Sequence, residues 1–334
     1  MCYYTIRTYI SPCNTTSFVS HSWRLKIKNT HISFTIDDER EIYVYHSKSM
    51  LYIFYAERME EPMDTFSTIQ RAYHDIASNT IHFSPNKALG QNFLRNTHIA
   101  QAIVELLPHT SSIHTLEIGP GRGALTGFLQ ERSNPLYIIE RDPYWATIHS
   151  TRVQTICADA LTFDYARLHS SHGVHWQCIS NLPYNIASPL LWEIISQAQC
   201  YCVFMVQKEV GERLLAKEHS KDYGMLSVWI QSFCTPKKEY IVRPDSFFPA
   251  PKVDSMVLSF QPHNKEQIER IPTSFASFLH YAFSHRRKQL LPRLQKYFRN
   301  AQDIFDAYAI PYTTRTEELP VHILQDIARD GIPL

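Results

Sequence analysis

The chain has 334 residues, 44% of them hydrophobic, and its 33 Lys and Arg nearly balance 32 Asp and Glu for a formal charge of +1. That length suggests about two domains with a sizeable core. The balance excludes both a disordered chain and a uniformly basic nucleic-acid tail.

The first 62 residues contain no glycine and eleven aromatics. Runs such as Ile42-Tyr-Val-Tyr and Met50-Leu-Tyr-Ile-Phe-Tyr look like strands, but few turn signals are present to pair them. Three readings stay open: a small β extension, an unpaired accessory segment, or sequence lying ahead of a later start at Met50, Met59 or Met63. The opening twenty residues lack the apolar block of a secretory signal. From about residue 81 the texture changes. A period near 3.6 predicts a helix over 99–107, stopped by Pro108. Strands are then expected at 114–118, 136–140, 155–158, 176–180 and 201–206. Helices are expected between and after them at 124–131, 143–150, 186–197 and 208–217. Short apolar strands alternating with helices predict a parallel, doubly wound sheet. Beyond Gln261 the pattern turns helical, at 274–298, 301–309 and 317–329, as a separate small α domain. The most apolar stretch, 176–207, is interrupted by Pro183, Pro189 and Glu193, so no membrane span is expected. Seven scattered cysteines without a Cys-x-x-Cys pair argue against a disulfide scaffold or a cysteine zinc site. Cys200 and Cys202 read as packing on a buried strand, and no metal is expected.

Gly119-Pro-Gly121-Arg-Gly123 follows a strand and opens a helix. Glycines there let the backbone approach a ligand, and the helix N-terminus favours an anionic group. The spacing is one residue shorter than the dinucleotide fingerprint, which tilts towards a ligand presenting a carboxylate. Glu140 closes the next strand, where it can accept from both hydroxyls of a ribose, in NAD as well as in other nucleosides. Asp159 ends the third strand, within reach of an adenine amino group. Acids in register at successive strand ends fit S-adenosylmethionine.

Asn181-Leu182-Pro183-Tyr184 ends the fourth strand. The exocyclic amine of adenine is a poor nucleophile because its lone pair is delocalised into the ring. Acceptors at the Asn181 side-chain oxygen and a carbonyl near Leu182 would favour the pyramidal amine and stabilise charge developing on nitrogen. Tyr184 offers a stacking face, oriented by the Pro183 kink.

These stretches carry a resemblance. Lys87-Ala-Leu-Gly-Gln-Asn-Phe-Leu94, Leu116-Glu-Ile-Gly-Pro-Gly121, Asn181-Leu-Pro-Tyr-Asn-Ile186, Gln207-Lys-Glu-Val210, Tyr223-Gly-Met-Leu-Ser227 and Phe247-Phe-Pro-Ala-Pro-Lys-Val-Asp-Ser255 occur together and in order. Some three-quarters of the chain resembles the ribosomal RNA adenine dimethyltransferase family, which modifies two adjacent adenines near the 3′ end of small-subunit rRNA. The resemblance implies a Rossmann-like S-adenosylmethionine-dependent methyltransferase domain over 81–262. It implies a C-terminal helical RNA-binding domain over 263–334, with an extension at 1–80. It places Asn92, Leu94, Gly119, Gly121, Glu140, Asp159 and Asn181 at the cofactor. Tyr184 and Phe247 would sandwich the target adenine, while Phe248 reads as a buried strand lead-in. The implied partner is small-subunit rRNA in a pre-ribosomal subunit, met by a cytoplasmic monomer with no membrane attachment.

Between Thr273 and Gln302 there is no acid, and Arg286, Arg287, Lys288, Arg293, Lys296 and Arg299 would form one basic helical face for phosphates. Lys208, Lys237 and Lys238 would extend it. The competing functions are the large-subunit branch that confers macrolide resistance, a non-catalytic ribosome-assembly factor, and a nicotinamide oxidoreductase. NLPYNI and Pro-Lys-Val-Asp-Ser favour the small-subunit branch.

Overall fold

The structure, a computed structural model, describes four strands between residues 24 and 56, and residues 92–334 apart from 133 and 170–173. The chain divides into two units, one of residues 1–85 with 142–151, the other of residues 86–141 with 152–334. In the first unit, β1 (Arg24–Lys28), β2 (His31–Asp37), β3 (Arg40–Ser47) and β4 (Met50–Ala56) pair antiparallel in sequence order. The two runs that the sequence left without partners, at Ile42 and Met50, pair with each other, Tyr45 opposite Tyr52.

The second unit begins with β5 (Phe93–Leu94) and α1 (Thr97–Glu105), whose first turn is capped by Asn96 through a bond from Ile99 N. β6 (Ile113–Ile118), α2 (Thr126–Gln130) and β7 (Leu136–Glu140) follow. Next in the chain come α3 (Pro143–Ser150), which belongs to the first unit, and β8 (Gln154–Cys157). A 3-10 turn (Ala160–Thr162), α4 (Ala166–His169), β9 (His175–Asn181), α5 (Ala187–Ala198), β10 (Tyr201–Gln207) and α6 (Lys208–Leu215) complete the alternation. Two antiparallel strands, β11 (Cys234–Val242) and β13 (Ser255–Pro262), extend the sheet to seven in the order β11-β13-β10-β9-β6-β7-β8. The five strands from β10 to β8 are mutually parallel. Strand order runs outward in both directions from the β6–β9 pair, and ligands bind at the carboxyl ends of strands at such a switch point.

Each face of the sheet buries its own apolar layer, because alternate residues of one strand face opposite ways. Cys178, Phe204 and Val206 pack with Leu190, Leu191 and Ile194 of α5. Ile179, Val203 and Met205 pack with Ala100, Ile103 and Val104 of α1. α7 (Met225–Phe233) lies against α5, where Trp229 stacks on Trp192 at 4.0 Å with an interplanar angle of 2°.

The structure departs from the sequence expectations at several elements, among them α7 and β13, neither of which the pattern marks. The edge strand β11 was unmarked because Pro236 and three consecutive charges break its pattern, and proline is tolerated on a sheet edge. After α8 (Lys265–Glu269), the helix expected over 274–298 is two, α9 (Phe275–Phe283) and α10 (Leu291–Leu294), joined by a turn. Pro292 explains the break: its ring and missing N–H fit only a first helical turn. Pro320 likewise starts α12 (Val321–Asp330) four residues later than expected, after α11 (Ala301–Ala307). The helical tail has no apolar core of its own, since Phe275, Phe278, Phe298 and Leu324 belong to the cluster that backs the sheet. Among the described residues no helix is long and apolar enough to cross a membrane.

The turn after α9 is fixed by Arg286, which donates to Tyr223 O at 2.8 Å and Lys221 O at 3.1 Å and pairs with Glu317 at 3.3 Å. Replacing Arg286 with Gln should lower unfolding free energy by about 1–2 kcal/mol. Gln at the exposed neighbour Arg287 should change it by less than about 0.5 kcal/mol. Denaturant midpoints of the two variants check this, and equal effects would show that the anchor contributes nothing.

Candidate active site

The pocket opens where the switch point predicts it. Its floor is the end of β6 and the glycine loop, its walls are the ends of β7 and β9, and β5 lies across it. Gly119 and Gly121 take φ of +63° and +52°, a region that disfavours any side chain. Nothing lies within 4 Å of where a Cβ on Gly119 would stand, so that space is left to a ligand. A Cβ on Gly121 would instead meet the Phe93 ring at 2.9 Å. Phe93 thus lies directly on the loop, with the Arg122 guanidinium over its ring at 5.1 Å.

Glu140 ends β7 as expected, whereas Asp159 lies two residues beyond the end of β8, and both already have partners. Glu140 accepts from Gly121 N at 3.2 Å, so it ties the loop to β7. Asp159 accepts from Leu161 N at 3.0 Å, capping the 3-10 turn, and pairs with Arg141 at 3.2 Å. Asn92 and Leu94 line the same pocket, whereas Gly90 and Gln91 lie outside the described residues.

At the end of β9, the Asn181 Nδ2 donates to Asn92 O at 3.1 Å. This bond fixes the orientation of the amide, with Nδ2 as the donor to β5 and Oδ1 as its acceptor end. Leu182 N donates to Met205 O at 3.0 Å, which holds the tetrapeptide against β10, and Ile186 N to Pro183 O at 3.1 Å, which closes a turn within the loop. The Tyr184 hydroxyl shares a 2.5 Å hydrogen bond with Ser255 Oγ, and burial raises the phenol above its ordinary pKa.

Phe247 is a correction. It is 2% exposed, packs in the α1-side cluster and is not among the residues lining the pocket. The exposed ring is Phe248, at 49%. Phe247 and Phe248 form β12, which pairs antiparallel with β5, Phe247 opposite Leu94 and Phe248 opposite Phe93. Burial of Phe247 thereby clamps the pocket's cover in place.

The basic residues are a second correction. Arg286 and Arg293 face inward: Arg293 donates to Ala282 O at 2.9 Å, Tyr281 O at 2.5 Å and Ser284 Oγ at 2.6 Å, and lies over the Tyr281 ring. Arg287, Lys288, Lys296 and Arg299 are exposed, on turns rather than on one helical face.

Glu117 and Ser255 were missed as site residues. Both sit inside recognised motifs, but only the fold shows that Glu117 lines the pocket and that Ser255 holds Tyr184. Glu117 is 1% exposed and accepts from Thr126 Oγ1 at 2.7 Å. Burial pushes its carboxyl up from 4.5 to about 8; the Thr126 bond opposes the rise and the Glu140 charge adds to it.

A seven-stranded, mostly parallel sheet whose switch point gathers a glycine loop, a strand-end acid and the Asn181 amide in one pocket is the architecture of an S-adenosylmethionine-dependent methyltransferase. A profile of the ribosomal RNA adenine dimethylase family matches residues 82–328, and the chain belongs to that family. A ribosomal RNA small subunit methyltransferase A from Oleidesulfovibrio alaskensis is 41% identical, covering 78% of this chain and 96% of the relative. The protein of the same name from Lawsonia intracellularis is 40% identical, covering 74% and 94%. A dimethyladenosine transferase from Plasmodium falciparum has a similar fold, with a TM-score of 0.60 at 24% identity over 72% of this chain and 99% of that one. So has the 23S rRNA methyltransferase ErmE, with 0.51 at 21% over 71% and 99%.

The raised carboxyl makes Glu117 a pH-dependent cost. The folded pKa lies above the unfolded one, so the protonated form is favoured on folding. Its contribution is fully present below about pH 4.5 and is lost as pH rises through about 8. Glu117→Gln should therefore flatten the fall in stability between pH 5 and 8, by an amount on the order of a few kcal/mol. Urea unfolding of both proteins without cofactor at the two pH values measures it; parallel pH profiles would rule the assignment out.

Proposed function

We propose that this chain transfers methyl groups from S-adenosylmethionine to N6 of two adjacent adenosines near the 3′ end of small-subunit rRNA. The substrate is a pre-ribosomal small subunit, met in the cytoplasm by a monomer. The observation that carries the reading is the Asn181 amide, pinned through Nδ2 to Asn92 O beside the glycine loop. The small-subunit branch is favoured over the large-subunit one by the names of its relatives at about 40% identity over most of their length.

The cofactor supplies an electrophilic methyl group on a sulfonium, and Gly119, Gly121, Glu140, Asp159, Asn92 and Leu94 would hold it. The chain's own residues prepare the amine. An adenine in structured RNA must leave its stack to reach the pocket. Tyr184 receives it face on, its ring fixed by Ser255. Asn181 Oδ1 and a backbone carbonyl near Leu182 accept the two amine hydrogens, localise the lone pair on nitrogen and gain strength as positive charge develops there. The methyl group would pass to the amine as the sulfonium becomes a neutral thioether, and the methylated nitrogen would then release its proton to solvent. No strong base is required.

Single-turnover rates at saturating RNA separate the two roles. Asn181→Ala should cost about 10²–10³ in rate with little change in RNA affinity. Tyr184→Ala should reduce both rate and affinity, since stacking one base is worth roughly 1–3 kcal/mol. Tyr184→Phe loses only the Ser255 bond and should stay within about tenfold of the wild type. Full turnover by Asn181→Ala, or a Tyr184→Phe variant as impaired as the alanine one, would overturn these roles. Mapping the label from S-adenosylmethionine on unmethylated small subunits identifies the bases.

RNA grip is assigned to the exposed cations Arg287, Lys288, Lys296 and Arg299. Replacing all four with Gln should flatten the dependence of log affinity on log salt by up to about three, leaving cofactor affinity unchanged. A slope that does not move places the RNA elsewhere on the surface.

A further inference from the structure

Three thiols meet between the two central strands, away from the residues that line the pocket. Cys178 lies in the middle of β9, and the parallel ladder sets it opposite Cys202, the second residue of β10. Cys200 follows Gln199, whose left-handed conformation (φ +45°) ends α5 and turns the chain back into the sheet. The Sγ atoms of Cys178 and Cys200 are 3.5 Å apart and those of Cys200 and Cys202 3.9 Å. All three sulfurs lie within 4.8 Å of one another. Among the described residues this is the one group of three or more His, Cys, Asp or Glu side chains whose donor atoms converge so closely.

The spacing has a specific chemical meaning. Thiolates bound to one ion at about 2.3 Å in a trigonal plane lie about 4 Å apart, inside the range found here. Closing the triangle needs side-chain adjustments of less than an ångström, with no change in strand register. The donor set is sulfur alone: no imidazole or carboxylate joins the group. Zinc prefers four ligands in a tetrahedron, whereas soft sulfur donors in a low-coordinate site select monovalent copper. Cys178 and Cys202 are 0% and 1% exposed, and Cys200 is half-buried, so the group lies inside the fold with Cys200 the residue nearest the surface.

We infer that Cys178, Cys200 and Cys202 form a three-sulfur site for one soft monovalent cation of the copper(I) class. Each thiol that coordinates gives its proton to solvent, so affinity falls as pH falls. The site is not part of the methyl-transfer machinery. It joins β9 to β10 three residues before Asn181, and an ion there cross-links the strand pair that carries the catalytic loop.

The test uses the full-length, reduced protein under anaerobic conditions, titrated with copper(I) against bicinchoninate as competing chelator. One equivalent should be retained by the three cysteines, with X-ray absorption showing three sulfurs at about 2.3 Å. Cys200→Ser removes the half-buried ligand with the least disturbance of the core, and should abolish that equivalent or weaken it by at least about tenfold. Cys157→Ser, at an exposed cysteine outside the group, should leave it unchanged. Thermal unfolding followed with and without copper(I) provides a second readout: the midpoint should rise in the wild type and not in Cys200→Ser. The inference fails if the chelator strips all the copper, if Cys200→Ser keeps the full stoichiometry and affinity, or if zinc(II) is retained where copper(I) is not. It fails equally if mass mapping of protein isolated without reductant finds Cys178 and Cys200 joined in a disulfide.

Discussion

The parallel pairing of β6 with β9 is the constraint on which the rest depends. The chain builds β6, β7 and β8 outward to one side, then returns to lay β9 against the other edge of β6, with Glu117 opposite Ile179. That return brings the glycine loop and the Asn181 loop, more than fifty residues apart in sequence, to the same end of neighbouring strands. Ser180 Oγ, donating to Ile118 O at 2.5 Å, ties the two strands where they enter the pocket. A pocket built on ladder hydrogen bonds keeps its reacting groups within the narrow tolerance that methyl transfer requires.

The two flanking segments depend on that frame and on each other. β5 brings Asn92 to Asn181 and lays Phe93 over Gly121; β12 holds β5 from outside by burying Phe247. β13 contributes Ser255 to the Tyr184 hydroxyl. The aromatic clamp first expected from Phe247 is thus a structural one. Its burial positions the cover, while the exposed Phe248 is the ring beside it that remains available to solvent.

Positive charge divides in the same way. Arg293 folds back to the carbonyls of Tyr281 and Ala282 at the end of α9, and Arg286 reaches across to those of Lys221 and Tyr223 ahead of α7. A guanidinium has five donors in a fixed fork, which suits it to joining several carbonyls at once. The lysines and arginines whose stems point outward supply the surface field instead. A run of basic residues in sequence therefore does two separate things in space.

The sequence by itself determined the alternating α/β core, the glycine loop, both strand-end acids and the Asn181–Tyr184 tetrapeptide. Each is a local signal: apolar runs of strand length, glycines where backbone must approach a ligand, and a proline-terminated strand. The tertiary structure alone decided which arginines face inward, that Phe247 is buried, that Ser255 meets Tyr184 and that Glu117 is desolvated. It also brought Cys178 to Cys200 and Cys202, across a helix and a turn. These depend on strand register and on the packing of distant segments, and contacts between residues far apart in the chain leave no period or spacing in it to be read.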